Sequence, residues 1–149
     1  MHNALLILHS WFRWVVLLAG LAALARMAVG WMKSLPWTPG DRRAGLLFTI
    51  ALDIQLLFGV WLYAVSPLIR KAMSDMATAM RTPDVRVFVA DHPATMLVAL
   101  VLAHVGSVAA HKAPTDGLKF RRGTVFYGLS LALILWAIPW FRLFTPSSH

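Results

Sequence analysis

The sequence predicts an all-α integral membrane protein: a four-helix up-down-up-down bundle with an amphipathic surface helix between the second and third transmembrane helices. Three observations carry this. Four apolar runs are each long enough to cross a bilayer core, which takes about 20 helical residues. Charged residues make up only 13% of the 149-residue chain and hydrophobic residues 59%, whereas a soluble domain is about 25% charged. Seven tryptophans against two tyrosines suit a chain with many side chains at membrane interfaces, where an apolar ring keeps its N–H hydrated.

The four runs are 4–31, 44–65, 93–112 and 123–144, forming one domain over 1–149. Ala23-Leu24-Ala25 imitates a signal-peptidase site. However, no Lys or Arg precedes Arg13, and Arg13 interrupts what would be the apolar segment, so 4–31 reads as a retained helix. Pro36, Pro39 and Gly40 mark the first loop; Pro114, Asp116 and Gly117 mark the third. Both are short, which makes consecutive helices antiparallel neighbours.

The connection at 67–90 is longer. Pro67 suits a first helical turn. Ile69, Ala72, Met73, Met76 and Met80 then recur at helical spacing, with Arg70, Lys71, Ser74, Asp75, Thr78 and Arg81 opposite. This predicts an amphipathic helix lying on the membrane. Thr82-Pro83-Asp84 is the expected cap of a second short helix leading to His92. The three methionines also resemble a soft-ligand set for Cu(I), although burial of an apolar face explains the same spacing.

The formal net charge is +8. The cations lie mostly in short loops, which points to topology and lipid contact and away from nucleic acid. One side would hold Arg26, Lys33, Arg42, Arg43, Lys112, Lys119, Arg121 and Arg122; the other Arg13, Arg70, Lys71, Arg81, Arg86 and Arg142, offset by Asp75, Asp84 and Asp91. The first group is the expected cytoplasmic side, leaving both termini outside. Cysteine is absent, which excludes disulfides, iron–sulfur clusters, Cys zinc sites and covalently attached haem. Nor is there a phosphate loop, a nucleophile elbow or a hydrolase or transferase motif.

Polar residues inside the spans are costly and each needs a reason. His9 sits one turn into the first span and His92 opens the third. In the expected bundle those helices stand diagonally, with backbones about 12–14 Å apart given neighbour spacings of 8–10 Å. That separation suits two imidazoles coordinating one iron from opposite sides. Arg13, four residues after His9 on the same face, is the candidate partner of a haem propionate. Ala99, Ala103, Gly106 and Ala110 continue the His92 face and either leave room for a porphyrin or permit close helix packing. The plainer readings are an N-cap role for His92, between Asp91 and Pro93, and simple hydration for His9.

His104 lies about 18 Å deeper than His92, at 1.5 Å per residue, and cannot share a haem level with His9. Asp53 is at comparable depth on the adjacent helix, so an Asp53–His104 contact is expected, either to lock two helices or to relay protons. Gln55 projects about 200° away from Asp53, so the two cannot face one site.

Several segments carry a resemblance: Leu8-His9-Ser10-Trp11-Phe12-Arg13-Trp14, Pro36-Trp37-Thr38-Pro39-Gly40-Asp41-Arg42-Arg43, Asp53-Ile54-Gln55-Leu56-Leu57-Phe58-Gly59, Asp91-His92-Pro93 and Ala137-Ile138-Pro139-Trp140. Together they resemble small bacterial four-helix membrane proteins often labelled cytochrome b. The resemblance implies the four-helix fold, a bacterial cytoplasmic membrane and haem b, with electron transfer as the only activity. It departs from diheme b-type cytochromes, because at the inner end only His111 is offered and no histidine on the first helix opposes it. One haem at most is expected. Two other classes are carried beside it: a cofactor-free accessory or assembly subunit, with other membrane subunits or a second copy as partners, and a small proton-coupled carrier or metal-handling protein using Asp53 and His104.

Overall fold

The computed structural model describes residues 1–140. Its helices are α1 (His2–Met32), α2 (Pro39–Val65), α3 (Pro67–Ser74), α4 (Met76–Arg81), α5 (Pro83–Arg86), α6 (His92–His111) and α7 (Asp116–Ala137), with a π-helical turn at Val87–Asp91 joining α5 to α6. No strand occurs among the described residues. Three stretches, His2–Met32, Pro39–Val65 and the continuous Pro83–His111, are long and apolar enough to cross a membrane. The fourth expected span, 123–144, lies partly outside the described residues. Its helix starts earlier, at Asp116, so Lys119, Arg121 and Arg122 fall in its first turns.

Two boundaries correct the sequence reading for local reasons. Pro39 and Gly40, expected in a loop, open α2. Proline is preorganised for a first turn, and Thr38 with Asp41 forms a reciprocal capping box ahead of it. Likewise, 67–90 is not one amphipathic helix. It breaks at Asp75, which leaves the helical conformation and caps α4 by accepting from the Thr78 N–H. The second break, at Thr82-Pro83, falls where a second short helix was expected: Thr82 stands at the N-cap position of α5. Ile69, Ala72 and Ala79 are buried, with Val89, beneath these short helices, while Met73, Met76 and Met80 are exposed. The methionines thus stand outside this small buried patch, exposed as residues facing a membrane surface would be.

The start of the third span is also corrected. His92 is not an N-cap: Asp91 and His92 are both helical, and the chain runs unbroken from Pro83. Pro93 inside a helix removes one N–H and clashes with the carbonyl four residues back. The chain accommodates it by widening one turn, so that the His92 N–H donates to Val87 O, five residues back. The carbonyl that Pro93 cannot serve, Val89 O, accepts instead from Tyr63 Oη on α2 at 3.0 Å. Such π-turns inside helices occur frequently at functional sites.

Among the long helices, α1 packs against α2 and α7, and α6 packs against α7 and α2. The core between them holds Phe48, Met27, Phe120, Tyr127, Leu131 and Ile134. Small residues let the backbones close in around these rings. A Cβ at Gly45 would run into the Tyr127 hydroxyl and one at Gly106 into Phe126. Ala99 and Ala103 are fully covered, and Ser130 of α7 donates to Ala99 O at 2.7 Å. The small-residue face of α6 is therefore filled by α7 as a packing surface and holds no open slot.

Candidate functional site

At one end of the long helices the structure brings His9 and His92 together. Their ring centres are 6.2 Å apart and their planes cross at 77°. α1 supplies His9 and Arg13, α2 supplies Gln55 and Gly59, and α6 supplies His92. The residues meet because α1 and α6 stand across from each other at a level where α2 presents a glycine. A Cβ on Gly59 would lie 3.3 Å from His9 Cε1, so the missing side chain leaves space for the His9 ring.

Hydrogen bonding sets the protonation of each ring. His92 Nδ1 lies 2.9 Å from Ala137 O, near the end of α7. A carbonyl only accepts, so Nδ1 carries the proton and the Nε2 lone pair of His92 stays available. Ala137 O is one of the helix-end carbonyls that lack an intrahelical donor, and His92 supplies that donor. Gln55 Nε2 donates to His9 O at 2.9 Å and lies 3.4 Å from His9 Nε2. Its amide orientation is fixed by the carbonyl, so His9 Nε2 faces an N–H and presents its lone pair, leaving the proton on Nδ1. His92, with Nδ1 held by a carbonyl, has the usual arrangement behind a metal-binding imidazole; His9 would have to turn its lone pair from the Gln55 amide to reach an ion.

Three buried side-chain polar atoms have no hydrogen-bond partner among the described residues: His9 Nδ1, Arg13 Nε and Gln55 Oε1. All belong to this cluster. Buried polar atoms are normally satisfied, and each exception calls for an account. Two donors and an acceptor without a protein partner around a histidine pair make this the polar cluster most suited, among the described residues, to receive a further hydrogen-bonding group. Arg13 is the cation of the cluster; its charge acts on both histidines, and its guanidinium lies 5.5 Å from the Trp14 ring centre.

Beside His92, between α6 and the end of α7, a cavity of about 340 Å³ is lined by Asp91, Thr95, Trp136 and Trp140 among others. It reaches His92 and not His9. The donor set, rather than a preformed slot, is what fits a group held between the two rings.

The remaining candidates lie elsewhere. Asp53 Oδ1 and His104 Nε2 are 2.8 Å apart, on the α2–α6 side and well below the His9–His92 level. His111 ends α6 and is exposed. No group of three or more His, Cys, Asp or Glu arranged to hold a metal ion occurs among the described residues. Sequence reasoning did not assign Gln55, Gly59 or the Ala137 carbonyl to this site. Gln55 carried one usable signal, an amide inside an apolar span. The partner it serves is 46 residues away, and only the rotation of two helices reveals it. No protein-family model, curated protein or solved structure matches the chain.

Proposed function

We propose that the chain spans a bacterial cytoplasmic membrane as an up-down-up-down bundle of four helices and binds one b-type haem between His9 and His92, as a small membrane electron-transfer protein. The observation that carries this reading is the 6.2 Å separation of the two imidazole rings. Imidazoles donating to one ion from opposite sides have ring centres about 6 Å apart, since each metal–nitrogen bond is about 2 Å. Crossed ring planes are compatible with such a pair, because each ligand needs only to direct its lone pair at the ion.

The chain's own residues have distinct parts in this reading. Ala137 O orients the His92 ring and fixes its tautomer. Gln55 holds the backbone of α1 beside His9. Arg13 offers a guanidinium to a propionate carboxylate, the pairing in which its fork geometry is strongest. The bound group would supply reversible one-electron chemistry. Trp11, Trp14 and Trp61, all exposed, would form an aromatic belt at the outer interface, placing the site near one membrane face. There it would be within reach of a soluble or membrane-bound redox partner.

The test is an optical spectrum of the detergent-solubilised protein, oxidised and then reduced with dithionite. A sharp Soret band with reduced α and β bands, lost in both His9→Ala and His92→Ala, is the expected result. A protein that stays colourless after expression with added haem precursor would overturn the reading.

A further inference from the structure

Halfway along the long helices, a second polar contact faces outward. Asp53 stands 14 residues from the start of α2 and 12 from its end (53 − 39 and 65 − 53), and it is hydrogen-bonded to His104 at 2.8 Å. The two side chains nonetheless remain 49% and 44% exposed. One turn away on either side, Ile50 and Leu57 on α2 and Val101 and Val108 on α6 are exposed and apolar. In the membrane reading, on which this inference rests, that surface meets hydrocarbon. A charged or strongly polar side chain facing the bilayer centre is costly and calls for a partner. Mutual pairing satisfies one side of each group and leaves the other half open.

We propose that this α2–α6 face is the contact surface of a homodimer, in which the Asp53–His104 pair of one copy lies on the same pair of a second. A two-fold contact sets residue i against j and j against i. A patch carrying one acid and one base is therefore its own complement: Asp53 of each copy meets a donor and His104 meets an acceptor. A partner of single-signed charge, or an anionic lipid, would find half the patch repulsive. Covering the pair also removes it from lipid, where hydrogen bonds between side chains of neighbouring helices are favourable.

The chain has no cysteine, so an introduced thiol reports alone. Membranes carrying Ile50→Cys, Leu57→Cys, Val101→Cys or Val108→Cys are oxidised with copper phenanthroline and resolved without reductant. We expect a disulfide-linked dimer from at least one of these positions and none from Leu18→Cys, a residue of α1 that is 68% exposed. Asp53→Leu in the cross-linking background should reduce the dimer at least tenfold. The exchange Asp53→His with His104→Asp, which keeps one acid and one base, should restore it. Equal cross-linking at Leu18→Cys, insensitivity to Asp53→Leu, or a face that never cross-links would overturn the proposal. Carbonate extraction of the same membranes separates the two readings: a chain that is stripped off fails the membrane reading, whereas one that stays embedded without cross-linking fails the dimer alone.

Discussion

Where α1 leads into α2, the polar groups are closed among themselves. Where His9 meets His92, they are not. At the first end, Asp41 accepts from Arg26 Nε at 2.6 Å, from the Thr38 N–H at 2.7 Å and from the Thr38 hydroxyl at 2.7 Å. Asp116 accepts from the Trp37 N–H and from Lys119 Nζ, and Arg122 donates to Ala109 O. The ring of Trp37 packs on Phe120, with centres 5.0 Å apart. These contacts join helix ends to one another and to the Trp37–Thr38 connection, and both buried or half-buried carboxylates, Asp41 and Asp116, have partners. At the other end, a histidine, an arginine and a glutamine leave three buried atoms open, and a π-turn positions the second histidine. A closed polar network serves the fold, whereas groups without a protein partner remain able to serve a ligand or solvent. The difference lies in partners, since both ends hold a buried polar side chain, Asp41 at one and Gln55 at the other.

That comparison can be broken first at Asp41. Asp41→Ala removes three hydrogen bonds to a buried carboxylate, strands Arg26 and undoes the cap of α2. Hydrogen bonds to a charged group contribute about 1.5–3 kcal/mol, so a loss at or above the top of that range is expected. It would be read as a lowered thermal unfolding midpoint in detergent. A loss below about 1 kcal/mol would mean that the closed network does not hold that end together.

The matching substitution at the open end is Gln55→Leu. It deletes one hydrogen bond to His9 O, but it also deletes the unpartnered Oε1, and the side-chain volume is nearly kept. Replacing a half-satisfied buried amide with an apolar group should change stability by less than about 1 kcal/mol. If the proposed haem binds, its loading, read from the Soret absorbance per protein, should fall, because the α1 backbone beside His9 loses its anchor. A variant destabilised as far as Asp41→Ala would erase the distinction between the ends.

The smallest effect is expected at Asp116. The Trp37 backbone N–H and, after it, Lys119 hold its carboxyl below the usual carboxylate range. A depressed folded value means that the contribution is complete above the unfolded value, about 3.9, and is lost as pH falls through the folded one. Acid should therefore loosen the α1–α2 connection at Trp37 before the rest of the chain responds. The amide proton shift of Trp37, followed by NMR during acidification, should show this step, and Asp116→Asn should abolish it. Because the side chain is exposed, global stability should scarcely change.

Some of this was already legible in the residues. The helical class and the apolar length of three stretches follow from local composition, because a run of some 20 apolar residues satisfies its own backbone only by coiling. The meeting of Asp53 and His104 was also readable, since depth along adjacent helices is counted in residues at a fixed rise. The same arithmetic put His9 and His92 at one level. The positions of turns were less legible. Pro39 and Pro93 were read as boundaries because proline usually breaks a helix, yet one begins a helix and the other is carried through by a widened turn whose spare carbonyl is met by Tyr63 from another helix. Tertiary structure alone decided that Gln55 faces His9, that Ala137 O holds His92 and that the alanine face of α6 is filled by α7. These contacts join residues 31 to 46 positions apart. They depend on the rotation of each helix about its axis, which the packing of rings such as Tyr127 and Phe48 against glycine and alanine sets, and which no local pattern encodes.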